Sequence, residues 1–286
     1  MKYAVIDIGS NSVRLMLGDG NTTFYKLVKT TRLAEGMLDS NILTADAIKR
    51  TVSAVSFFVD RAKEEDVDGI YIFATAATRK AENRNKFLLA IKNTCGYDVD
   101  VVSGEVEARL GYVGALGGCD GGIIDVGGAS TEITVVDGGR SIYTKSIELG
   151  AVSLTDKCGQ DMLKADCFVN EKILEYGKVP GSKFYSIGGT ATSIAAMLQE
   201  LEPYDPNKVD GYTISIDQLN DLKQRLYLLS VEEREKLKGL QPERAKVIAN
   251  GVNILLSLMS KFNINEITVS EKDNLEGYLK LKLEKV

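Results

Sequence analysis

The chain has 286 residues, 44% of them hydrophobic and 26% charged, so it is long enough for about two domains with buried cores. With 35 basic and 40 acidic residues, its formal net charge of −5 argues against nonspecific binding to nucleic acid. It contains no histidine, which excludes a Ser-His-Asp mechanism and leaves acid–base chemistry to Asp, Glu, Lys, Tyr or Cys.

The amino-terminal residues MKYAVIDIGS lack the features of a signal peptide, and no apolar run approaches the roughly 18 residues of a membrane-spanning helix. We therefore expect a cytoplasmic protein with no membrane partner. The cysteines form no CxxC pair, and the lack of histidine leaves no plausible zinc site. We expect all of them to be buried free thiols; they are Cys95, Cys119, Cys158 and Cys167.

Short apolar runs alternate with helical patterns along the chain, which indicates an α/β fold. The first half predicts three closely spaced strands, then helices and further strands. The strands are predicted at 4–8, 13–17, 23–28, 69–74 and 99–102, and the helices from an N-cap at Thr44 to about Glu65, at 83–93, and after a cap at Ser103.

The glycine-dense segment 117–122 predicts a flexible junction. Beyond it, strands are predicted at 124–126, 133–136, 141–148 and 266–269, and helices at 165–176, 190–201, 242–262 and 275–283. The predicted domains are residues 1–117 and 118–286, and the last helix, about 275–284, is a candidate to pack back on the first domain.

The pattern IDIGSNS at residues 6–12 returns as IDVGGAS at residues 124–130, each copy followed by another strand. Each copy places a carboxylate at a strand end, then glycine, then hydroxyl side chains, and its backbone N–H groups can converge on an anion. Asp7 and Asp125 are candidate ligands for a divalent cation. A duplicated hairpin with no ligand is the alternative. The candidate phosphate-binding residues of these loops are Ser10, Asn11, Ser12, Gly127, Gly128, Ala129, Ser130 and Thr131.

A third glycine-bearing segment, residues 185–192, reads as a strand, two glycines and a helix start. Gly188, Gly189 and Thr190 would then place a helix N-terminus against a phosphate. An ordinary strand-to-helix turn that needs glycine is the alternative. Arginine guanidinium groups can donate two parallel hydrogen bonds to phosphate oxygens, although each can equally form a surface salt bridge. The candidate phosphate-binding arginines are Arg14, Arg32, Arg79 and Arg109.

Several motifs in fixed order resemble the exopolyphosphatase and guanosine-pentaphosphate phosphohydrolase family over essentially the whole chain. They are IDIGSNSVRL, ATAATR, SGEVEARLGY, DVGGASTE, ELGAVSLT, SIGGTATSIAA and VSEKDNLEG. The resemblance implies an α/β fold of the actin-like (ribonuclease H-like) type, duplicated into two domains with a central cleft. Longer relatives append an all-helical domain, so the resemblance implies the short form of the family.

The resemblance also implies an exopolyphosphatase-type hydrolase that needs Mg²⁺, or Mn²⁺ in its place. It would release terminal phosphate from linear inorganic polyphosphate, the 5′-phosphate of pppGpp, or both, with ppGpp as a further ligand and a homodimer as one possible assembly. The alternatives are a sensor that binds polyphosphate or guanosine tetraphosphate with weak turnover, and a kinase or ATPase of the same fold. The family usually has three glycines where this chain has Gly127, Gly128 and Ala129.

The resemblance assigns two glutamates to the chemistry: Glu107 as the general base that activates water, and Glu132 as the group that orients that water or the metal. A buried carboxylate near another carboxylate can have its pKa raised enough for this work. From the residues alone, Glu107 can equally be a solvated helix carboxylate paired with Arg109.

Overall fold

The computed structural model describes residues 1–37 and 40–284. It divides into two compact units: unit 1 is Met1–Gly114 together with the chain from Asn274, and unit 2 is Ala115–Asp273. The boundary predicted at 117/118 lies just past this division, which falls inside a helix that runs from Gly104 to Leu116. The last helix is part of unit 1.

Unit 1 contains a five-stranded sheet in the order β3-β2-β1-β4-β5. Strands β1, β2 and β3 pair antiparallel, whereas β4 and β5 run parallel to β1. Its elements are β1 (Tyr3–Ile8), β2 (Ser12–Gly18), β3 (Thr23–Thr30), α1 (Ala45–Glu64), β4 (Gly69–Ala74), α2 (Ala76–Lys80), α3 (Arg84–Cys95), β5 (Asp100–Val101), α4 (Gly104–Leu116) and, at the far end of the chain, α12 (Asn274–Leu283).

Unit 2 contains a six-stranded sheet in the order β10-β11-β9-β6-β7-β8. Its elements are β6 (Gly121–Val126), β7 (Thr131–Asp137), β8 (Arg140–Ile147), α5 (Ala151–Cys158), α6 (Met162–Lys172), a 3₁₀ helix (Ile173–Tyr176), β9 (Phe184–Ile187), α7 (Gly188–Leu198), α8 (Pro206–Val209), β10 (Thr213–Ser215), α9 (Ile216–Leu228), α10 (Val231–Arg234), a 3₁₀ helix (Pro242–Arg244), α11 (Ile248–Lys261) and β11 (Glu266–Val269).

The two units repeat one arrangement. Each sheet contains three antiparallel strands joined by consecutive hairpins. The first of these strands also pairs in parallel with the strand that follows a helical segment, β1 with β4 in unit 1 and β6 with β9 in unit 2. This topology confirms the predicted fold class, a duplicated α/β fold of the actin-like (ribonuclease H-like) type.

Local chemistry explains the elements that frame unit 1. Thr44 accepts a hydrogen bond from the Ala47 amide at 3.2 Å and so begins α1, as its sequence predicts. The rings of Phe73 on β4 and Tyr278 on α12 stack with centroids 4.5 Å apart. Because Gly277 has no side chain, α12 packs directly against the backbone of Leu110, where an added Cβ would overlap the Leu110 carbonyl.

One helix predicted in unit 2 is wrong in its bounds, and some helices of this unit were not predicted. The helix predicted over 242–262 is broken, because Ala245 and Val247 donate to carbonyls three residues earlier and α11 begins only at Ile248. The amphipathic helix α9, which begins at a Ser215–Gln218 capping box, is absent from the prediction.

The expectation of four buried thiols is also wrong: Cys158 is buried, Cys95 is half-buried, and Cys119 and Cys167 are exposed. Within residues 1–37 and 40–284, no helix combines the length and the hydrophobicity needed to cross a membrane.

Candidate active site

The candidate site residues of unit 1 lie where parallel strands end. β1, β4 and β5 are parallel neighbours, so their carboxyl ends meet at one edge of the sheet. The 9–11 loop follows β1, the short helix α2 with Arg79 follows β4, and α4 with Glu107 follows β5. Ligands of open α/β sheets bind at such an edge.

Glu107 and Arg79 form the centre of this edge. Arg79 Nη1 donates to Glu107 Oε2 at 2.9 Å and to the carbonyl oxygen of Val102 at 2.9 Å. Glu107 is only 7% exposed, and Ser103 caps its helix by accepting from the Val106 amide at 3.2 Å. The structure therefore places Glu107 in a buried ion pair with Arg79, and not in a solvated pair with Arg109.

Burial is the main influence on the acidity of Glu107. Desolvation raises the pKa of its carboxyl, and the negative charge of Asp7 raises it further, whereas Arg79 and the Thr75 hydroxyl act in the opposite direction. The net effect is a raised pKa. A buried glutamate with a raised pKa is suited to accept a proton near neutral pH.

Asp7 is buried at the end of β1, directly opposite Arg14 on β2. Arg14 donates to Asp7 Oδ2 from Nε at 3.0 Å and from Nη2 at 2.5 Å. The Asp7 carboxylate is thus engaged by a guanidinium of its own unit, so a cation bound there would compete with Arg14.

The two glycine-bearing loops have the same internal geometry. The Gly9 amide donates to the Ser12 carbonyl at 3.0 Å, and the Gly127 amide donates to the Ser130 carbonyl at 3.0 Å. A Cβ at either glycine would lie 3.0–3.1 Å from that carbonyl oxygen, closer than ordinary packing allows. Both loops therefore favour glycine at this position, which accounts for the repeated pattern.

Backbone carbonyls anchor each loop to a segment behind it. Ser10 and Asn11 accept from the amides of Ala34 and Arg32 at 2.9 and 2.8 Å. In unit 2, the carbonyls of Gly127 and Gly128 accept from the start of α5 at 2.8–3.0 Å. In a trans peptide the N–H points in the direction opposite to the C=O. The N–H groups that follow these carbonyls therefore point away from the anchoring segments, as they do in an anion-binding loop.

The α5 anchor in unit 2 depends on close backbone approach. An added Cβ at Gly150 would overlap the backbone of Gly128. Behind the same loop, Tyr176 donates its hydroxyl to the Thr131 carbonyl at 2.7 Å. The backbone of the ELGAVSLT motif therefore shapes the 127–130 loop.

Asp125 and Glu132 stand directly opposite one another on β6 and β7. Glu132 is buried, and Ser146 on β8 donates to its Oε1 at 2.5 Å; Asp125 is half-buried. Directly opposite residues on antiparallel strands have Cβ atoms about 4.5–5.5 Å apart, so unit 2 presents two carboxylates side by side. The equivalent position in unit 1 carries Arg14, so the two copies have opposite charges there.

The third glycine segment begins α7. Gly188 has φ +78°, and an added Cβ there would lie 2.7 Å from Asp125 Oδ1. Among the described residues, no side chain caps the start of α7, so the backbone N–H groups of its first turn remain available to an anion. The guanidinium of Arg244 packs on the Cα of Gly189, where a Cβ would overlap it. Arg244 is not among the arginines that the sequence predicted for phosphate binding.

The remaining predicted residues occupy less central positions. The hydroxyls of Thr131 and Thr190 donate to the carbonyls of Leu149 and Val126, so they are not available as donors to phosphate. Arg109 lies on α4 but is exposed, and Arg32 is half-buried with φ +49°. Ala129 is not among the positive-φ residues in the part of the chain that the structure describes, so alanine is accommodated there.

Replacing Gly189 by alanine tests the Arg244 contact. The new methyl group must displace the guanidinium, and we expect KM for a phosphorylated substrate to rise about tenfold to a hundredfold while the protein stays folded. Gly181→Ala is the matched control, because its added Cβ meets nothing within 4 Å among the described residues. Steady-state kinetics of both variants, with melting temperatures, measure the difference. An unchanged KM in Gly189→Ala would remove this contact from the site.

The duplicated topology makes this a protein of the actin-like class, and its repeated glycine-bearing loops, the uncapped start of α7 and the carboxylates beside them form a candidate phosphate-binding site. The chain belongs to the Ppx/GppA phosphatase family, whose model matches residues 15–285. A Ppx/GppA family structure from Aquifex aeolicus is 30% identical, with a TM-score of 0.80 over 100% of this chain and 98% of that one.

Two curated relatives are longer proteins. A bifunctional 3-dehydroquinate synthase/phosphatase of Fusobacterium nucleatum is 29% identical over 96% of this chain and 45% of its own length. A guanosine-5′-triphosphate,3′-diphosphate pyrophosphatase of Vibrio cholerae is 28% identical over 96% of this chain and 58% of its own length. The chain thus spans about half the length of these relatives.

Proposed function

We propose that the chain is a phosphohydrolase that releases the terminal phosphate of linear polyphosphate, the 5′-phosphate of pppGpp, or both. Membership of a phosphatase family supports the reaction class, and the name of the Vibrio relative supports a guanosine phosphate as one substrate. The observation that carries the proposal is Glu107, buried at the carboxyl end of the unit 1 sheet, with a raised pKa and Arg79 at 2.9 Å.

Glu107 supplies the base in this reaction. Its ionised carboxylate takes a proton from a water molecule as the water oxygen bonds to the terminal phosphorus. The bond from that phosphorus to the bridging oxygen breaks, and the shortened phosphate chain leaves with the electron pair. Arg79 holds Oε2 in place, so the second carboxylate oxygen can face the water.

The loops supply the phosphate contacts. The outward-pointing amides of the 9–12 and 127–130 loops, and the start of α7, can hold phosphoryl oxygens without side-chain rearrangement. The guanidinium of Arg244 packs against the first turn of α7, where it would add positive charge to that contact. This preorganisation suits a reaction whose catalysis is mainly positioning and charge stabilisation.

Asp125 and Glu132 are the residues we assign to Mg²⁺, with Mn²⁺ as a substitute. Within residues 1–37 and 40–284 there is no group of three or more acidic or sulfur side chains arranged to hold a metal. Two adjacent carboxylates fit Mg²⁺ well, because this ion uses one or two carboxylates and takes its other ligands from water and substrate phosphates. When bound, it would neutralise charge on the phosphoryl oxygens. We assign Asp7 to orienting Arg14 instead of to the metal.

Glu132→Gln tests the metal assignment. Loss of one carboxylate charge weakens cation binding, and we expect the Mg²⁺ concentration for half-maximal rate to rise at least about tenfold. Asp137→Asn, on the exposed end of the same strand, is the matched control and should leave the Mg²⁺ dependence unchanged. Initial rates across a Mg²⁺ titration give the result. A shift in neither variant would exclude Glu132 as a ligand.

A substrate panel distinguishes the two substrate classes. Phosphate release from polyphosphates of defined length and from pppGpp, each with Mg²⁺ and with Mn²⁺, gives kcat/KM for every pair. Release from at least one substrate supports the proposal. Tight binding without release of phosphate would instead identify a sensor.

A further inference from the structure

Arg234, the last residue of α10, is a buried charged side chain that the proposed reaction does not use. It is only 1% exposed, and burial lowers the pKa of its guanidinium. Arginine nevertheless keeps its charge inside proteins. Within the part of the chain that the structure describes, none of its contacts is to a carboxylate. Because a buried charge without an opposite charge is costly, the groups that Arg234 does contact indicate its role.

The guanidinium of Arg234 donates to neutral oxygen atoms of three segments. Its Nε donates to the Leu226 carbonyl, near the end of α9, at 2.7 Å. Its Nη1 donates to the side-chain oxygen of Gln160 and, at 3.4 Å, to the Ala245 carbonyl. Gln160 in turn donates from Nε2 to the Lys246 carbonyl at 2.9 Å. Arg234 and Gln160 thus hold two consecutive carbonyls of the turn that precedes α11.

These contacts join the two ends of the segment 234–246, which packs along α7 between its ends. An added Cβ at Gly239, which has φ +80°, would overlap the Ala196 carbonyl in the last turn of α7. At the start of the same helix, an added Cβ at Gly189 would overlap the Arg244 guanidinium. The segment is therefore a closed loop that follows α7 from its last turn to its first.

Arg244 directly precedes the two anchored carbonyls. Its amide donates to the Gln241 carbonyl at 2.9 Å and its Nε donates to Gln241 Oε1 at 3.1 Å, but Gln241 belongs to the same loop. Contacts within the loop cannot fix where it lies in unit 2, whereas Arg234 and Gln160 tie it to α9 and to the residues that follow α5. Helix α5 also anchors the 127–130 loop, so both parts of the site share one support.

We propose that Arg234 is a positioning residue that holds Arg244 over the first turn of α7. The proposal rests on the proposed function, in which the start of α7 binds phosphate. Because Arg234 is buried and acts through Arg244, it sets how well the site binds a phosphorylated substrate without contacting that substrate. Loss of Arg234 should therefore raise KM and leave kcat nearly unchanged.

Two variants test these contacts. Arg234→Met removes the charge and every donor but keeps a side chain of similar shape, and Gln160→Ala removes the bridge at an exposed position. With pppGpp and with tripolyphosphate, we expect KM to rise about tenfold in Arg234→Met and about threefold in Gln160→Ala, with kcat within about twofold of the parent protein. Arg225→Met, at an exposed arginine on α9, is the matched control and should change neither constant.

The same changes in an Arg244→Gln background separate positioning from general destabilisation. If Arg234 acts through Arg244, neither Arg234→Met nor Gln160→Ala raises KM further once the Arg244 guanidinium is absent. A rise in KM of equal size in both backgrounds would overturn the proposal, and so would a KM in Gln160→Ala equal to that of Arg225→Met. Should Arg234→Met not fold, Gln160→Ala decides.

Two resonances of the free protein separate this proposal from the proposed function. The Gly189 amide and the Nε–H of Arg244 report the contact between these residues without substrate. Both should shift in Gln160→Ala and stay in place in Arg225→Met. If the parent protein releases no phosphate from either substrate, the proposed function fails and the resonances decide alone: a shift supports the positioning of Arg244, and unmoved resonances overturn it.

Discussion

We expect Glu107→Gln to lower the rate of phosphate release by about 10²–10⁴-fold, the usual contribution of a positioned base. Glutamine keeps the size of the side chain and can still accept from Arg79 through its amide oxygen, but it cannot take a proton from water. The measurement is the steady-state release of phosphate with Mg²⁺, with kcat separated from KM. Because the change removes a proton acceptor and not a substrate contact, the loss should fall mainly on kcat.

Glu105→Gln is the matched control for this variant. Glu105 lies on the same helix, α4, but is exposed, so its replacement should leave the rate within about twofold. Burial raises the pKa of Glu107, so stability is lost as the pH rises through the folded-state pKa and Glu107 ionises. Glu107→Gln should therefore melt no lower than the parent protein at pH 7–8. A rate equal to that of Glu105→Gln would remove Glu107 from the mechanism.

Arg79→Gln should lower the rate by about a hundredfold and also move the acid side of the pH profile. The positive charge and hydrogen bond of Arg79 lower the pKa of Glu107 against the larger effect of burial. Removal of the guanidinium therefore raises this pKa further. Since the ionised carboxylate is the active form, the acid limb of kcat/KM against pH must shift to higher pH.

Arg79→Lys separates charge from geometry. Lysine keeps the positive charge, but its shorter side chain does not place a donor where Arg79 Nη1 contacts both Glu107 and the Val102 carbonyl, so the acid limb should move less than in Arg79→Gln. Profiles of kcat/KM from pH 5 to pH 9 for the three proteins supply the comparison. An acid limb that stays in place in Arg79→Gln would mean that another group controls it.

The two loop copies differ in the charge that stands opposite the leading aspartate. Each loop begins with an aspartate, but the residue opposite that aspartate is Arg14 in unit 1 and Glu132 in unit 2. The first copy thus neutralises its carboxylate, whereas the second keeps two carboxylates together. Under the proposed function, unit 1 supplies the base and unit 2 supplies the cation ligands.

Local chemistry made much of the fold predictable from sequence. Thr44 begins α1 because its hydroxyl caps the helix, and the strand at 69–74 is recognisable from its apolar run. The repeated IDxG pattern identified both loops because each needs glycine where the chain turns against a carbonyl. Such features depend on residues close together in the chain, so they can be predicted from the sequence.

Contacts between distant residues could not be predicted. The position of Arg244 over Gly189 brings together residues that lie far apart in the chain. The hydroxyls of Thr131 and Thr190 resemble phosphate ligands in sequence, yet they donate to backbone carbonyls. Pairing Arg14 with Asp7 required the register of β1 and β2, although the common seven-residue spacing to Arg14 and to Glu132 was a signal that could have been used.

Oxygen-18 labelling is the most direct test of the central claim, that a water activated by Glu107 attacks the terminal phosphorus. Hydrolysis of polyphosphate or pppGpp in H₂¹⁸O should place one labelled oxygen in each released orthophosphate and none in the shortened product, and Glu107→Gln should slow the appearance of that label. Label in the shortened product, or released phosphate without label, would contradict the account.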